Sequence, residues 1–206
     1  MLLRLIGGLV KYIVFRGDHA GHESAHRGGN GSAATVPRTD ENNKGRRPGI
    51  STELEPYWNI AAPLEEILGY RFRNPLLLLE AASHSSFTNE KRKLHLPDND
   101  RLEFLGDAVL GLVIGEEIHL NNRRFDSGKM TKLRAMVVSS QSLAEAAQRC
   151  NIGDFLLLGV GETRSGGGRR PSLLADSMEA LFGAVYLDGG LSAVQKVILN
   201  ILGEAA

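Results

Sequence analysis

The chain has 206 residues, balances 24 basic against 24 acidic side chains, and is 42% hydrophobic and 23% charged, the composition of a globular domain with or without a tail. A lone cysteine, Cys150, excludes a disulfide framework and a Cys-rich zinc module. No run of about 18 uninterrupted apolar residues is present to span a membrane, so no membrane partner is expected.

The zero net charge conceals two unlike segments. Residues 1–50 hold eight basic and four acidic residues, which leaves 16 basic and 20 acidic residues in 51–206. Residues 16–49 are rich in Gly, His, Asn and Ser, with only Ala20, Ala25, Ala33, Ala34 and Val36 apolar, and are expected to be disordered because they cannot bury enough apolar surface. Residues 1–15, MLLRLIGGLVKYIVF, are apolar, with Arg4, Gly7, Gly8 and Lys11 along one stripe. They admit three readings: a signal or transit peptide, a membrane-surface helix, or an accident of the assigned start. The expected organisation is a tail, disordered or targeting-like, over 1–50 and one folded domain over 51–206.

From about Thr52 the pattern is helical. Asn74-Pro75 supplies an N-cap and a first-turn proline for a helix over 76–82. Residues 97–100, PDND, open a long helix to about Leu120, where Leu102, Leu105, Val109, Leu112 and Val113 recur at three- and four-residue steps. Further helices are expected over 130–138 and 143–149, the second capped by Ser139 or Ser140. A glycine-rich basic loop follows over 159–171, then helices over 172–187 and 191–202. No stretch alternates with period two, so the domain reads as all-α.

Acids stand inside the two most apolar of these helices. Asp100, Glu103 and Asp107 fall at i, i+3 and i+7, within an arc of about 60° on one face. Asp176 and Glu179 share a face in the same way, amid Leu173, Leu174, Met178, Leu181 and Phe182. Paired acids on a helix are most often a solvated face. Two pairs in apolar helices are costly, because like charges repel and desolvation adds to the penalty. Hard divalent cations such as Mg²⁺ would offset that cost and bridge the acids to a phosphate. Spacing alone points to an acidic metal site without naming a reaction. No His, Ser or Cys stands in a nucleophile motif; His84, His95 and His119 read as caps or surface residues.

The segment DRLEFLGDAVL resembles the signature of the ribonuclease III family of double-stranded-RNA endonucleases. LGYRFRNPLLLLEAASHSS upstream, then GKMTKLRAMVVSSQSLAEAA and GVGETRSGGGRRPSLLADSMEALFGAVYLDGG downstream, agree in order and spacing over about residues 64–202. The resemblance implies a dimeric helical bundle in which Glu103, Asp107, Asp176 and Glu179 hold Mg²⁺, with Mn²⁺ able to substitute, and Asp107 and Glu179 are catalytic. It implies hydrolysis of duplex RNA to 5′-phosphate and 3′-hydroxyl ends, in ribosomal and messenger RNA processing, by a homodimer with Phe104 at its interface. The alternative is a non-catalytic dimer of the same fold that binds duplex RNA. Cytoplasmic placement is expected, or an organelle if 1–50 is a transit segment.

Duplex RNA is recognised through its shape, phosphates and 2′-hydroxyls. Candidate phosphate contacts are Arg123, Arg124, Lys129, Lys132 and Arg134, with Arg164, Arg169 and Arg170 on the glycine-rich loop. Three departures from the family pattern stand out. Asp100 replaces the usual Glu and becomes a possible auxiliary acid. Ser127 and Lys129 occupy a segment where the family often shows Glu-Gly followed by an acid or a polar residue. The chain also stops near Ala206, where bacterial members continue into a double-stranded-RNA-binding domain, so truncation or loss is expected, with weak, salt-dependent binding.

Overall fold

The computed structural model describes residues 52–203; the tail expected over 1–50 lies outside them. A 3₁₀ stretch, Thr52–Ile60, feeds α1 (Ala61–Leu68). Gly69 ends α1 at φ +61°, a left-handed conformation that glycine adopts without a Cβ penalty, and its N–H returns to the Glu66 carbonyl at 3.1 Å. Next is α2 (Pro75–Ala82), where the expected Asn74 cap forms: its side-chain oxygen accepts from Leu76 N at 3.2 Å. A short α3 (Ser85–Glu90) then leads into α4 (Asp100–Asn121), the long helix expected from the PDND segment.

Helix α5 (Ser127–Val137) starts three residues earlier than the apolar pattern predicts. The cause is Asp126, whose Oδ1 accepts from Lys129 N at 2.8 Å and so caps the helix. Ser139 caps α6 (Ser140–Arg149), its Oγ accepting from Ser142 N at 3.3 Å. The segment expected to be a glycine-rich loop instead holds a short helix, α7 (Val160–Arg164), and a 3₁₀ turn at Gly167–Arg169. Composition hid these because their support comes from specific side-chain contacts, one of them distant in sequence. Both carboxylate oxygens of Glu90 accept from Val160 N, at 3.0 and 3.1 Å, and Arg170 Nη2 lies 2.8 Å from Glu162 Oε1.

Helix α8 (Pro171–Gly189) is the centre of the domain, and α9 (Leu191–Gly203) closes it. Eleven residues of α8 are buried, on all sides of the helix, as expected of one surrounded by others. It packs chiefly on α4 and α6, then on α2 and α9. Among the described residues there is no strand; the one β-bridge joins Ser83 and Leu157. The domain is all-α, as its periodicity predicts.

The C-terminal end of α8 is fastened to the start of α2 by Asp188. Its carboxylate accepts from Tyr70 Oη at 2.7 Å and from the backbone N–H of Arg73 and Asn74, both at 2.8 Å. Despite some burial, these donors hold the Asp188 carboxyl below its usual range, while burial and the bond to Asp188 push Tyr70 up to about 12. A lowered carboxyl contributes stability above its unfolded value of 3.8, and that stability is lost as pH falls through the folded value. Asp188→Ala is expected to cost about 1–2 kcal/mol in urea unfolding at pH 7, and clearly less near pH 3.

Candidate metal centre

Helices α4 and α8 cross with their backbones in contact. A Cβ added at Gly106 would land on the Glu179 carbonyl oxygen, and one added at Gly183 would land on that of Leu102. The two glycines sit next to the acids in sequence, Gly106 between Glu103 and Asp107 and Gly183 four residues after Glu179. The crossing therefore carries the acidic faces of both helices to one place. Hydrophobic packing on the other faces supplies the force: Leu102, Val109, Leu110 and Val113 of α4, and Leu174, Met178, Leu181 and Phe182 of α8, are all buried.

At this crossing Glu103, Asp176 and Glu179 each offer a carboxylate oxygen, and all three oxygens lie within 4.8 Å of one another. All three side chains are half-buried, while Asp100 and Asp107 on the same face of α4 are exposed. Asp107 lies outside the triad of converging oxygens, yet its charge is felt there. Burial first, then Asp107, Glu103 and Asp176, push the Glu179 carboxyl from 4.5 up to about 7. Glu103 is raised by burial and then by Asp176, Asp100 and Asp107. Asp176 is raised by burial, with Asp100 adding to the effect and His84 opposing it.

Such a cluster of hard oxygen donors, each disfavoured as an anion by its neighbours, fits a hard divalent cation. The positive charge would reverse the repulsion that raises these carboxyls, and the partial exposure leaves room for water and a phosphate. The donors suit Mg²⁺ or Mn²⁺ and lack the nitrogen and sulfur ligands that zinc favours.

The other predicted residues are more dispersed. Phe104 is 82% exposed, as its position outside the apolar stripe of α4 suggests. Arg123 and Arg124 lie in the turn after α4, and Lys132 and Arg134 on α5, all exposed; Arg134 stands beside Gly115 of α4. Arg169 is exposed in the 3₁₀ turn. Arg170 is already engaged by Glu162 and by Ser165 Oγ at 3.3 Å. Of the two departures in this segment, Ser127 opens α5 and Lys129 pairs with Asp126 at 3.6 Å. Spacing gave no sign that His84, 92 positions upstream, would oppose the rise of the Asp176 carboxyl.

Fold and centre together define an all-helical domain with an acidic cluster built across two crossing helices. The model of the Ribonuclease-III-like family matches residues 74–205. The chain belongs to the ribonuclease III family. It is 52% identical over 139 residues to Ribonuclease 3 of Oceanobacillus iheyensis, covering 68% of this chain and 60% of that protein. It is 49% identical over 141 residues to Ribonuclease 3 of Caldanaerobacter subterraneus subsp. tengcongensis, covering 68% and 61%. The chain thus spans about 60% of the length of the curated relatives it matches. Among solved structures it resembles the nuclease domain of ribonuclease III from Campylobacter jejuni, with 39% identity and a TM-score of 0.63 over 68% of this chain and 94% of that one. One study of that nuclease domain concerns flexibility in a region involved in dimer formation.

Proposed function

We propose that the chain is a divalent-cation-dependent endoribonuclease that hydrolyses double-stranded RNA to 5′-phosphate and 3′-hydroxyl ends. The observation that carries this reading is the convergence of Glu103, Asp176 and Glu179 from two helices onto one half-buried point. Family membership and relatives named Ribonuclease 3 support it. Structured precursors of ribosomal and messenger RNA are the substrate class that follows, and Mg²⁺ the cation, with Mn²⁺ substituting.

In this reading Glu103, Asp176 and Glu179 hold the cation, and Asp107, at the rim, adds negative charge toward the same point. When bound, the cation polarises a phosphate oxygen and acidifies water for attack. The protein's own part is placement. The Gly106–Gly183 contact fixes the separation of the two acidic faces, and burial of their flanks limits the water around them. Arg123, Arg124, Lys132, Arg134 and Arg169 supply phosphate contacts outside the centre, where binding weakens steeply with salt. Exposed Phe104 on α4 is the apolar anchor of a homodimer whose two centres face the two strands.

Cleavage of a perfect RNA duplex longer than one helical turn tests the reading. Internal cuts with Mg²⁺ and none in EDTA are expected; a duplex bound but left intact with either Mg²⁺ or Mn²⁺ would instead mark a non-catalytic binder. A pH dependence follows from Glu179. Its carboxyl titrates at about 7, so cation binding below that pH must expel a proton. Mn²⁺ affinity is expected to fall by up to about tenfold per unit as pH drops below 7, and calorimetry in buffers of different ionisation enthalpy reads the released proton.

A further inference from the structure

The sequence has one run of three consecutive cations, Lys91-Arg92-Lys93, and the fold displays it. All three side chains are exposed, on a turn that ends α3 and continues into a 3₁₀ stretch, Arg92–Leu94. The turn is held by its own backbone. Lys91 N donates to Phe87 O at 2.9 Å, Leu94 N to Lys91 O at 2.9 Å, and His95 N to Arg92 O at 3.2 Å. Leu94 and Leu96 pack against the core, so apolar residues anchor the turn from within while the cations stay in solvent. Between the two leucines His95 reverses the chain at φ +48°, an uncommon conformation for a residue with a side chain.

The acid next to the run is engaged elsewhere. Both carboxylate oxygens of Glu90 accept from Val160 N, and a Cβ added at Gly159 would stand 2.6 Å from Glu90 Oε1. Ser86 Oγ accepts from Gly159 N at 2.9 Å, so α3 and the start of α7 are joined twice. Arg164, exposed at the far end of the five-residue α7, then lies about 6 Å along the helix axis from this junction. None of Lys91, Arg92, Lys93 and Arg164 forms an ion pair with a described residue; the described cations that do are Lys129 and Arg170. Residues 51–206 hold 20 acids against 16 bases, so partners are not scarce in the domain. Like charges fixed in one turn repel one another, and left without a partner they make a local positive potential that suits a polyanion.

The run also stands near the acids. Ser83 O accepts from Asn99 N at 2.9 Å, which fastens the entry to α3 onto the start of the acid-bearing helix α4. The six residues of α3 span about 9 Å, and the turn lies that far beyond this fastening. We propose that Lys91, Arg92, Lys93 and Arg164 form a phosphate-binding edge, which grips the backbone of an RNA duplex beside the acidic centre and contributes affinity without touching the reacting phosphate. This rests on the duplex-RNA reading given above. An RNA duplex presents phosphates and 2′-hydroxyls rather than readable bases, and an ammonium on a flexible stem suits the former.

The test compares two double variants of the full chain that remove the same charge. One is Lys91→Ala with Lys93→Ala; the other is Arg71→Ala with Lys196→Ala, two exposed cations on other elements. Affinity for a perfect RNA duplex is read in EDTA by fluorescence anisotropy between about 50 and 200 mM salt. The Lys91/Lys93 variant is expected to lose about two from the slope of log affinity against log salt, one per phosphate contact, and Arg164→Ala about one. The Arg71/Lys196 variant should keep the parental slope. With Mg²⁺, the Lys91/Lys93 variant should raise KM for cleavage and leave kcat unchanged, and both doubles should melt within about 2 °C of the parent. A parental slope in the Lys91/Lys93 variant, equal losses in the two doubles, or a lower kcat at unchanged KM would each overturn the proposal. A parent that neither binds nor cuts the duplex sinks the nuclease reading and this proposal with it; a parent that cuts it as well as the Lys91/Lys93 variant does, with one slope for both, sinks the proposal alone.

Discussion

Replacing Glu179 with glutamine is expected to lower cleavage of duplex RNA by about 10³-fold, equivalent to about 4 kcal/mol of transition-state stabilisation, while making the metal-free protein more stable. The two effects have one cause. Glu179 is half-buried among Asp107, Glu103 and Asp176, and its carboxyl is pushed from 4.5 to about 7. An acid raised in the folded state favours folding only while it keeps its proton. Stability of the metal-free protein should therefore decline as pH climbs from about 4.5 toward 7 and level off above it.

Taken at face value that shift is worth about 3 kcal/mol, but solvent reaches the carboxylate and screens it, so about 1 kcal/mol is the reasonable expectation. Glutamine keeps the shape and removes the charge. At pH 8 without metal, Glu179→Gln should melt about 2–4 °C higher than the parent, the effect of about 1 kcal/mol in a domain of this size. Saturating Mg²⁺ should reverse the order, since binding at 100 times Kd adds about 2.7 kcal/mol to the parent alone. Scanning calorimetry with and without Mg²⁺ reads both. An unchanged order of melting would contradict the account.

Gly106→Ala is expected to be among the most damaging single-methyl changes in the domain. Alanine is the better helix former by about 1 kcal/mol, which would stabilise an isolated α4. In the folded domain the added methyl meets the Glu179 carbonyl, and backbone cannot rotate aside as a side chain does. Overpacking of this kind costs about 3 kcal/mol, the upper end of the usual range, so packing outweighs propensity. The melting temperature should fall by about 6–12 °C. Mn²⁺ affinity should fall as well, because the helices that carry Glu103 and Glu179 are forced apart. Gly111→Ala serves as the comparison: nothing lies within 4 Å of the added Cβ there, and a small gain in stability is expected.

Much of this centre was legible in the sequence, for a simple reason. Residues three, four and seven apart on a helix share a face whatever else the fold does, so Asp100, Glu103 and Asp107 form one group and Asp176 and Glu179 another before any tertiary contact is known. The apolar periodicity of α4 and α8 is likewise local. What spacing could not rank was the acids themselves. Glu103 and Glu179 point into the crossing while Asp107 stays at its rim, and that distinction arises from the crossing of the two helices. Gly106 and Gly183, which set the crossing, read in a sequence only as weak points in helices.

The same limit explains the other differences. Helix α7 stands on Glu90, 70 residues upstream of Val160, so glycine content alone made its segment look like a loop. The start of α5 needed only Asp126, a local cap within reach of the sequence but overshadowed by the apolar pattern beginning at Met130. His84 was legible as a cap or surface residue, and it caps α3.

The central claim, that the acids of α4 and α8 form a cation site, is tested most directly by anomalous diffraction from crystals soaked in Mn²⁺. The account predicts a strong anomalous peak bounded by Glu103, Asp176 and Glu179, absent from Glu179→Gln crystals. A peak elsewhere on the domain, or none in the parent at saturating Mn²⁺, would contradict it.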